Sequence, residues 1–156
     1  MSLETATIRR RQKAVTYATR ERQLLLFHQP DYPNVGWQPP GGTVDAGEAI
    51  PAAARREFTE ETGLVAEGRW TYLGACTYRF LGGGFDHIHE RHFFHLALRD
   101  RPPEIFEALE TTPEEGGPPI RFAFSWHSVD DPALKLHADL DALLPVLRQL
   151  MAREEA

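Results

Sequence analysis

Three glutamates, Glu57, Glu60 and Glu61, fall within about one helical turn of each other beside Arg55 and Arg56, in the stretch GGTVDAGEAIPAAARREFTEETGL. Carboxylates three and four residues apart on a helix are neighbours, and like charges there are destabilising. Two arrangements answer that repulsion. Either the face is solvated and laced with i, i+4 ion pairs, or the oxygens share a hard divalent cation such as Mg2+. Solvated faces are the commoner case, and the helical period bears on the choice without deciding it. Ile50, Ala54 and Phe58 form the stripe that should pack on the rest of the protein, and Ala53, Glu57 and Glu61 form the adjoining row, with Glu60 flanking it. The carboxylates thus border the buried face, whereas a purely solubilising face points away from the core. The preceding PPGG lets backbone approach the same point.

The elements that must position this row can be read on either side of it. The helix runs from about Ala49 to Thr62, with Pro51 tolerated in its first turn and Gly63 in the C′ position where helices stop. QKAVTYA (Gln12–Ala18) and QLLLFHQ (Gln23–Gln29) read as strands joined by TRER into a hairpin. PDYPNVGWQPPGG, with four prolines and three glycines, reads as loop. WTYLGACTYRFL and HIHERHFFHLAL read as two long strands around GGGFD. ALETTPEEGGPP is a polar loop, and IRFAFSWHSV a further strand. HADLDALLPVLRQLMA closes the chain as an amphipathic helix, with Leu140, Leu143, Leu144, Leu147 and Leu150 on one stripe. Pro145 predicts a kink or a late start there. This order fits the α/β class, an α/β/α sandwich around a central mixed sheet.

Length and composition bound the function. A chain of 156 residues suits a single domain over 1–156. The longest apolar run, LLLF at Leu24–Phe27, is strand-sized, so no membrane association is expected. The N-terminus lacks an apolar signal segment. The single cysteine, Cys76, excludes an intrachain disulfide and a cysteine-based zinc cluster, and it agrees with a cytoplasmic setting. A net charge of −6 disfavours nonspecific nucleic-acid binding, so no nucleic-acid partner is expected. It leaves room for a small anionic substrate held through metal ions.

The full glutamate stretch resembles the Nudix box, G-x5-E-x7-R-E-U-x-E-E-x-G-U, where U is bulky and apolar. Gly42, Glu48, Arg56, Glu57, Phe58, Glu60, Glu61, Gly63 and Leu64 fill every defined position without insertion. At average residue frequencies a chance match in such a chain falls below about one in a million. The resemblance implies the Nudix fold and a hydrolase that cleaves the diphosphate linkage of a nucleoside diphosphate derivative, with Mg2+ or Mn2+ as cofactor. By position it implies Glu57 and Glu61 as principal metal ligands, Glu60 as a third, and the Gly41 carbonyl as a further one. It implies that Arg56 orients a glutamate, with Glu48 as its partner, and that Gly42 and Gly63 supply unusual backbone angles at the two ends of the helix. The general base is open: Glu60 and Glu57 are favoured over Glu107, Glu110, Glu114 and Glu115 in the later loop. A homodimer is compatible with the family, though no stretch marks an interface.

Outside the box the signals are weaker. HIHERHFFH is neither H-E-x-x-H nor a cupin motif, because Phe93 and Phe94 stand where ligands would be required. On a strand, Glu90, His92 and Phe94 share one face, and His89, Arg91, Phe93 and His95 the other. Trp37, Tyr78, Arg91 and His92 are the candidate substrate contacts, the first two as stacking surfaces. IRRRQK (Ile8–Lys13) could meet phosphate, although a solvated strand edge is the common explanation. Phe80, sixteen residues beyond Leu64, replaces the proline of ADP-ribose enzymes, and no coenzyme A signature is present. The alternatives to a hydrolase are a nucleotide-binding or regulatory module, which the intact REFTEE opposes, a prenyl diphosphate isomerase, which Cys76 does not support, and 5′-end trimming of RNA.

Overall fold

The computed structural model describes residues 5–113 and 116–155. Its strands are β1 (Thr7–Arg20), β2 (Gln23–His28), β3 (Gly41–Thr43), β4 (Gly68–Gly82), β5 (Phe85–Leu98), β6 (Ile105–Glu110) and β7 (Ile120–Ser128). Its helices are α1 (Ile50–Thr62) and α2 (Leu144–Glu155). One mixed sheet runs in the order β4-β5-β1-β2-β7-β6, with β3 on β1. The β1–β5 pair is parallel and the others are antiparallel.

Alternation along the strands divides the core between two faces. Ala18, Leu25, Phe27, Leu96 and Phe124 line the face under α1, around the fully buried Phe58. Val15, Tyr17, Leu24, Leu26 and Phe93 line the other, under Leu144, Leu147 and Met151 of α2. Burying a phenylalanine like Phe58 contributes about 1.5–3 kcal/mol, which docks α1 firmly. The helices therefore sandwich the sheet, as the sequence predicts. No described helix is long and apolar enough to cross a membrane.

Several local expectations change. The hairpin of β1 and β2 pairs only at Thr19–Leu24 and Arg20–Gln23. Beyond that the two strands separate, and the proline-rich segment wedges between them. Phe27 and Gln38 exchange backbone hydrogen bonds, Thr16 donates to the Pro40 carbonyl, and Gly41–Thr43 pairs with β1 as β3. What reads as loop is thus partly strand, because neighbouring strands satisfy backbone groups that two prolines alone could not order. Likewise Ala108–Glu110, read as loop, ends β6. The last helix starts late, at Leu144, with Pro145 in its first turn where a missing N–H costs nothing. Its buried stripe is Leu144, Leu147 and Met151, while Leu150 stays half-exposed.

A β-bulge between Tyr72 and Gly74 has larger consequences. Before it, Tyr72 pairs with Phe94 and Trp70 with Leu96, on the α1 face. After it, Gly74, Cys76, Tyr78 and Phe80 pair with Phe93, Arg91, His89 and His87, on the α2 face. One extra residue thus transfers every later even-numbered side chain of β4 to the opposite side.

His95 lies under α2, 1% exposed, with Nε2 on Thr19 Oγ1 at 2.7 Å and Nδ1 lacking a hydrogen-bond partner. Burial, with Arg69 nearby, pushes its pKa from 6.5 down to about 4. The unfolded chain therefore binds this proton more readily than the folded one. Stability is full above about pH 6.5 and is lost as pH falls toward 4, by up to ~3 kcal/mol. Denaturant unfolding across that window should show this decline, and His95→Gln should flatten it.

Candidate active site

The glutamate row sits where α1 meets β3. Its two ends are set locally. Pro51 occupies the first turn, and Gly63 closes the helix at φ 72°, donating its N–H to the Thr59 carbonyl at 2.9 Å. Only glycine adopts that left-handed angle without strain. Between them, Ala53, Ala54 and Phe58 seat the helix, and the same seating carries Glu61 inward.

Glu61 is 6% exposed, and the Gly41 amide donates to its Oε2 at 3.1 Å. Burial raises its pKa well above the usual carboxylate range, and Glu57 and Glu110 push it further. The Gly41 amide and Lys13 pull it back. Glu57 is also raised, first by burial, and Arg56 opposes this. Glu60 and Glu110 add repulsion.

Arg56 is the hub. Its Nε and Nη2 donate to the two Glu48 oxygens at 2.8 and 2.9 Å. Nη1 donates to Glu57 at 2.9 Å and Glu60 at 3.2 Å, and Nη2 also reaches the Thr43 carbonyl at 3.1 Å. Hydrogen bonds from Arg56, and then from the Asp45 amide, hold Glu48 down at about 2. Glu48 thus stays ionised and keeps the guanidinium aimed. Gly42 is required for space and not, as the sequence reading holds, for backbone angle, since its φ is not positive. A Cβ there would stand 2.3 Å from the Glu57 carboxyl carbon.

The remaining predicted residues are distributed differently. Glu60 is half exposed and turned to Arg56. Among the described residues no three acidic, histidine or cysteine side chains form a ready-made ion cage. Glu57 and Glu61 are nonetheless neighbouring carboxylates held out of water, and such a pair of oxygen donors suits a divalent cation. Glu107 pairs with Arg121 at 3.7 Å. Glu114 and Glu115 lie outside the described residues. Glu110, at the end of β6, acts electrostatically on both Glu57 and Glu61, and Thr112 N–H holds its carboxylate at 3.0 Å. Its proximity to the site needs the β6–β7 pairing, which no local signal predicts.

The substrate candidates split between the two faces. His92, on the α1 side, bonds Gln12 at 2.6 Å and Tyr72 at 3.1 Å. Arg91, on the α2 side, lies 4.0 Å from the centre of the Tyr78 ring and donates to the Ala138 carbonyl. That carbonyl belongs to a turn in which Ala138 and Asp139 both take positive φ, 52° and 59°, conformations that cost non-glycine residues energy. Trp37 packs edge-on between His28 and His127, with centroids at 4.8 and 4.3 Å.

The NUDIX domain family model matches residues 9–147. Over 63 residues the chain is 44% identical to the m7GpppN-mRNA hydrolase NUDT17 of Xenopus laevis. That alignment takes in 40% of this chain and 19% of the relative, so the match spans about a fifth of the relative's length. The MutT NUDIX hydrolase of Burkholderia pseudomallei superposes with a TM-score of 0.60 at 22% identity, covering 89% of this chain and 98% of that one. A C. elegans Ap4A hydrolase binary complex gives 0.58 at 21%, covering 92% and 98%. At these identities the two structures speak for the fold alone. The domain match over nearly the whole chain, with every box position filled, decides the family: the chain belongs to the Nudix hydrolases.

Proposed function

We propose that this protein is a divalent-metal-dependent pyrophosphohydrolase that cleaves the diphosphate linkage of a nucleoside diphosphate derivative. The observation that carries the reading is the desolvated pair Glu57 and Glu61, each raised chiefly by burial. Such a pair costs stability in an idle protein and is rational where a cation and phosphate oxygens complete it. Glu57 and Glu61, with Glu60 and the Gly41 carbonyl, would hold Mg2+ or Mn2+. A bound ion would neutralise the diphosphate, polarise phosphorus and acidify a coordinated water.

The chain's own residues supply positioning. Arg56 fixes Glu57 through Nη1 and leaves Glu61 to the Gly41 amide. Glu48 keeps Arg56 in place. Glu110 faces the same pair from another strand and has no arginine partner among the described residues. It is therefore better suited than Glu57 to accept the proton of the attacking water, because Glu57 is already engaged by Arg56. This choice departs from the sequence preference for Glu57 or Glu60. Attack at one phosphorus in line with the bridging oxygen would give two phosphorylated products.

Incubation with Mg2+ or Mn2+ and chromatography of the products tests the reading. The panel holds nucleoside triphosphates and their oxidised forms, nucleotide sugars, ADP-ribose, dinucleoside polyphosphates, NADH and capped RNA. Capped RNA is included for the NUDT17 relative's named activity. Cleavage inside a diphosphate that vanishes with EDTA is expected. Metal binding without cleavage of any member would favour a regulatory module.

Glu57→Gln and Glu61→Gln should each lower turnover by ~100-fold or more while leaving stability unchanged or higher, since each removes a buried like charge. Turnover surviving both changes overturns the ligand assignment. Glu110→Gln should cost more in kcat than Glu60→Gln, measured at saturating metal; the reverse order returns the base to the helix. Gly42→Ala should cut kcat/KM by ~10-fold or more with little change in unfolding midpoint, because the added methyl displaces the Glu57 carboxylate and not the backbone. Equal losses of activity and stability would show that Gly42 serves the fold instead.

A further inference from the structure

Arg22, Arg56, Arg79 and Arg121 each grip a carboxylate through the same edge of the guanidinium. Nε and Nη2 together meet Asp130, Glu48, Asp86 and Asp31 respectively. That planar fork matches the two oxygens of a carboxylate. Arg20 carries the same fork without such a mate. Its Nη1 donates to the Leu98 carbonyl at 3.2 Å, and its Nε is buried with no hydrogen-bond partner. A buried donor left unmatched is costly.

Arg20 ends β1 and lines a cavity of about 270 Å3 between the ends of β1 and β5 and the last turns of α2. His95 lines it too. It is 1% exposed, and its Nδ1 is a second buried atom without a partner. Thr19 decides which hydrogen that atom carries. The Thr19 hydroxyl, 3% exposed, has one hydrogen, and among the described residues its only hydrogen bond is with His95 Nε2. If Nε2 donated, the hydroxyl hydrogen and the Nδ1 lone pair would both stand idle. If the hydroxyl donates, only the Nδ1–H does. The second tautomer leaves one orphan in place of two, so Nδ1 is a donor. Burial keeps the ring uncharged at neutral pH, which preserves that tautomer.

The cavity thus joins two unmatched donors, one of them on a cation. Ala97, Leu98 and Met151 give it an apolar wall. The carboxylates at its rim are turned elsewhere: Glu154 pairs with Arg69 at 2.8 Å, Glu155 with Arg22 at 2.7 Å, and Glu21 is exposed. Arg20 also borders a second depression, of about 390 Å3, but among the described residues no other buried side-chain atom there lacks a partner. Drug-sized sites run to ~300–1,000 Å3, so the cavity beside His95 suits a smaller molecule. We propose that it binds a small carboxylate with a short apolar body, whose oxygens accept from the Arg20 fork and from the His95 Nδ1–H. Thr19 and His95 share the face of Tyr17 and Phe93, under α2 and across the sheet from α1, so the site does not rest on the hydrolase reading.

Titration with butyrate tests it, followed by the imidazole nitrogen resonances and by thermal unfolding. The ligand-free protein should show the Nδ1–H tautomer at His95. Butyrate should bind saturably and, at about ten times its dissociation constant, raise the unfolding midpoint by about 3–6 °C. Butyramide, uncharged, and inorganic phosphate, with no apolar body, should each bind ~10-fold more weakly or worse. Arg20→Met should weaken butyrate binding ~10-fold or more and leave the ligand-free midpoint near its starting value. His95→Gln removes the Nδ1–H and should weaken binding too, whereas His95→Asn, which keeps an N–H donor near that position, should retain more of it. Absence of saturable binding would mean that water alone meets the two donors, and it overturns the proposal. Equal binding of butyramide or phosphate, indifference to Arg20→Met, or the Nε2–H tautomer overturns it as well.

Discussion

A carboxylate taken out of water shapes the candidate site. Glu61 is 6% exposed, and the Gly41 amide donates a hydrogen bond to it. Glu57, one turn earlier, is desolvated as well and repels it. Burying a charge without full compensation is costly, so the surroundings must hold it there. They do so with apolar contacts that have other work. Phe58, between the two glutamates in sequence, inserts into the core against Leu25, Leu96 and Phe124. The docking energy of α1 and the burial of its carboxylates are therefore one event. A cation bound between the two carboxylates would relieve that repulsion.

The two carboxylates are restrained by different parts of the protein. Arg56 spends its five donors on Glu48, Glu57, Glu60 and the Thr43 carbonyl, so one guanidinium ties the start of the helix, its middle and the end of β3. Glu61 is held by the Gly41 amide of β3. That backbone is in reach only because β1 and β2 part after two paired rows and admit the segment between them. Gly42 then allows the strand to pass against the Glu57 carboxylate without a Cβ in the way. The site is thus a junction of helix and inserted strand.

The rest of the sheet is organised by which face each residue takes. The bulge at Tyr72 and Gly74 separates β4 into a segment that packs under α1 and one that presents Tyr78 and Phe80 toward the other side. Along β5, Arg91 and His92 go to opposite faces and into different networks.

Much of this was legible in the sequence. The helix, its stop at Gly63 and the row of Glu57 and Glu61 at the edge of its packed stripe follow from local periodicity and backbone preference, and so do the long hairpin and the alternation of His89, Glu90, Arg91 and His92. Those are interactions between residues a few positions apart, which the order of residues encodes directly. Local signals did not reveal β3 and β6, the reason for Gly42, the approach of Glu110, or the face that Tyr78 takes. Each depends on a partner distant along the chain: Gly41 on Val15 and Glu61, Glu110 on Ile120, Gly42 on Glu57, Tyr78 on His89 after a bulge. The sequence by itself determined the family, the carboxylates and the helix that carries them. Only the tertiary structure decided which of those carboxylates leave water and what meets them there, because desolvation and strand register arise from contacts made when the whole sheet closes.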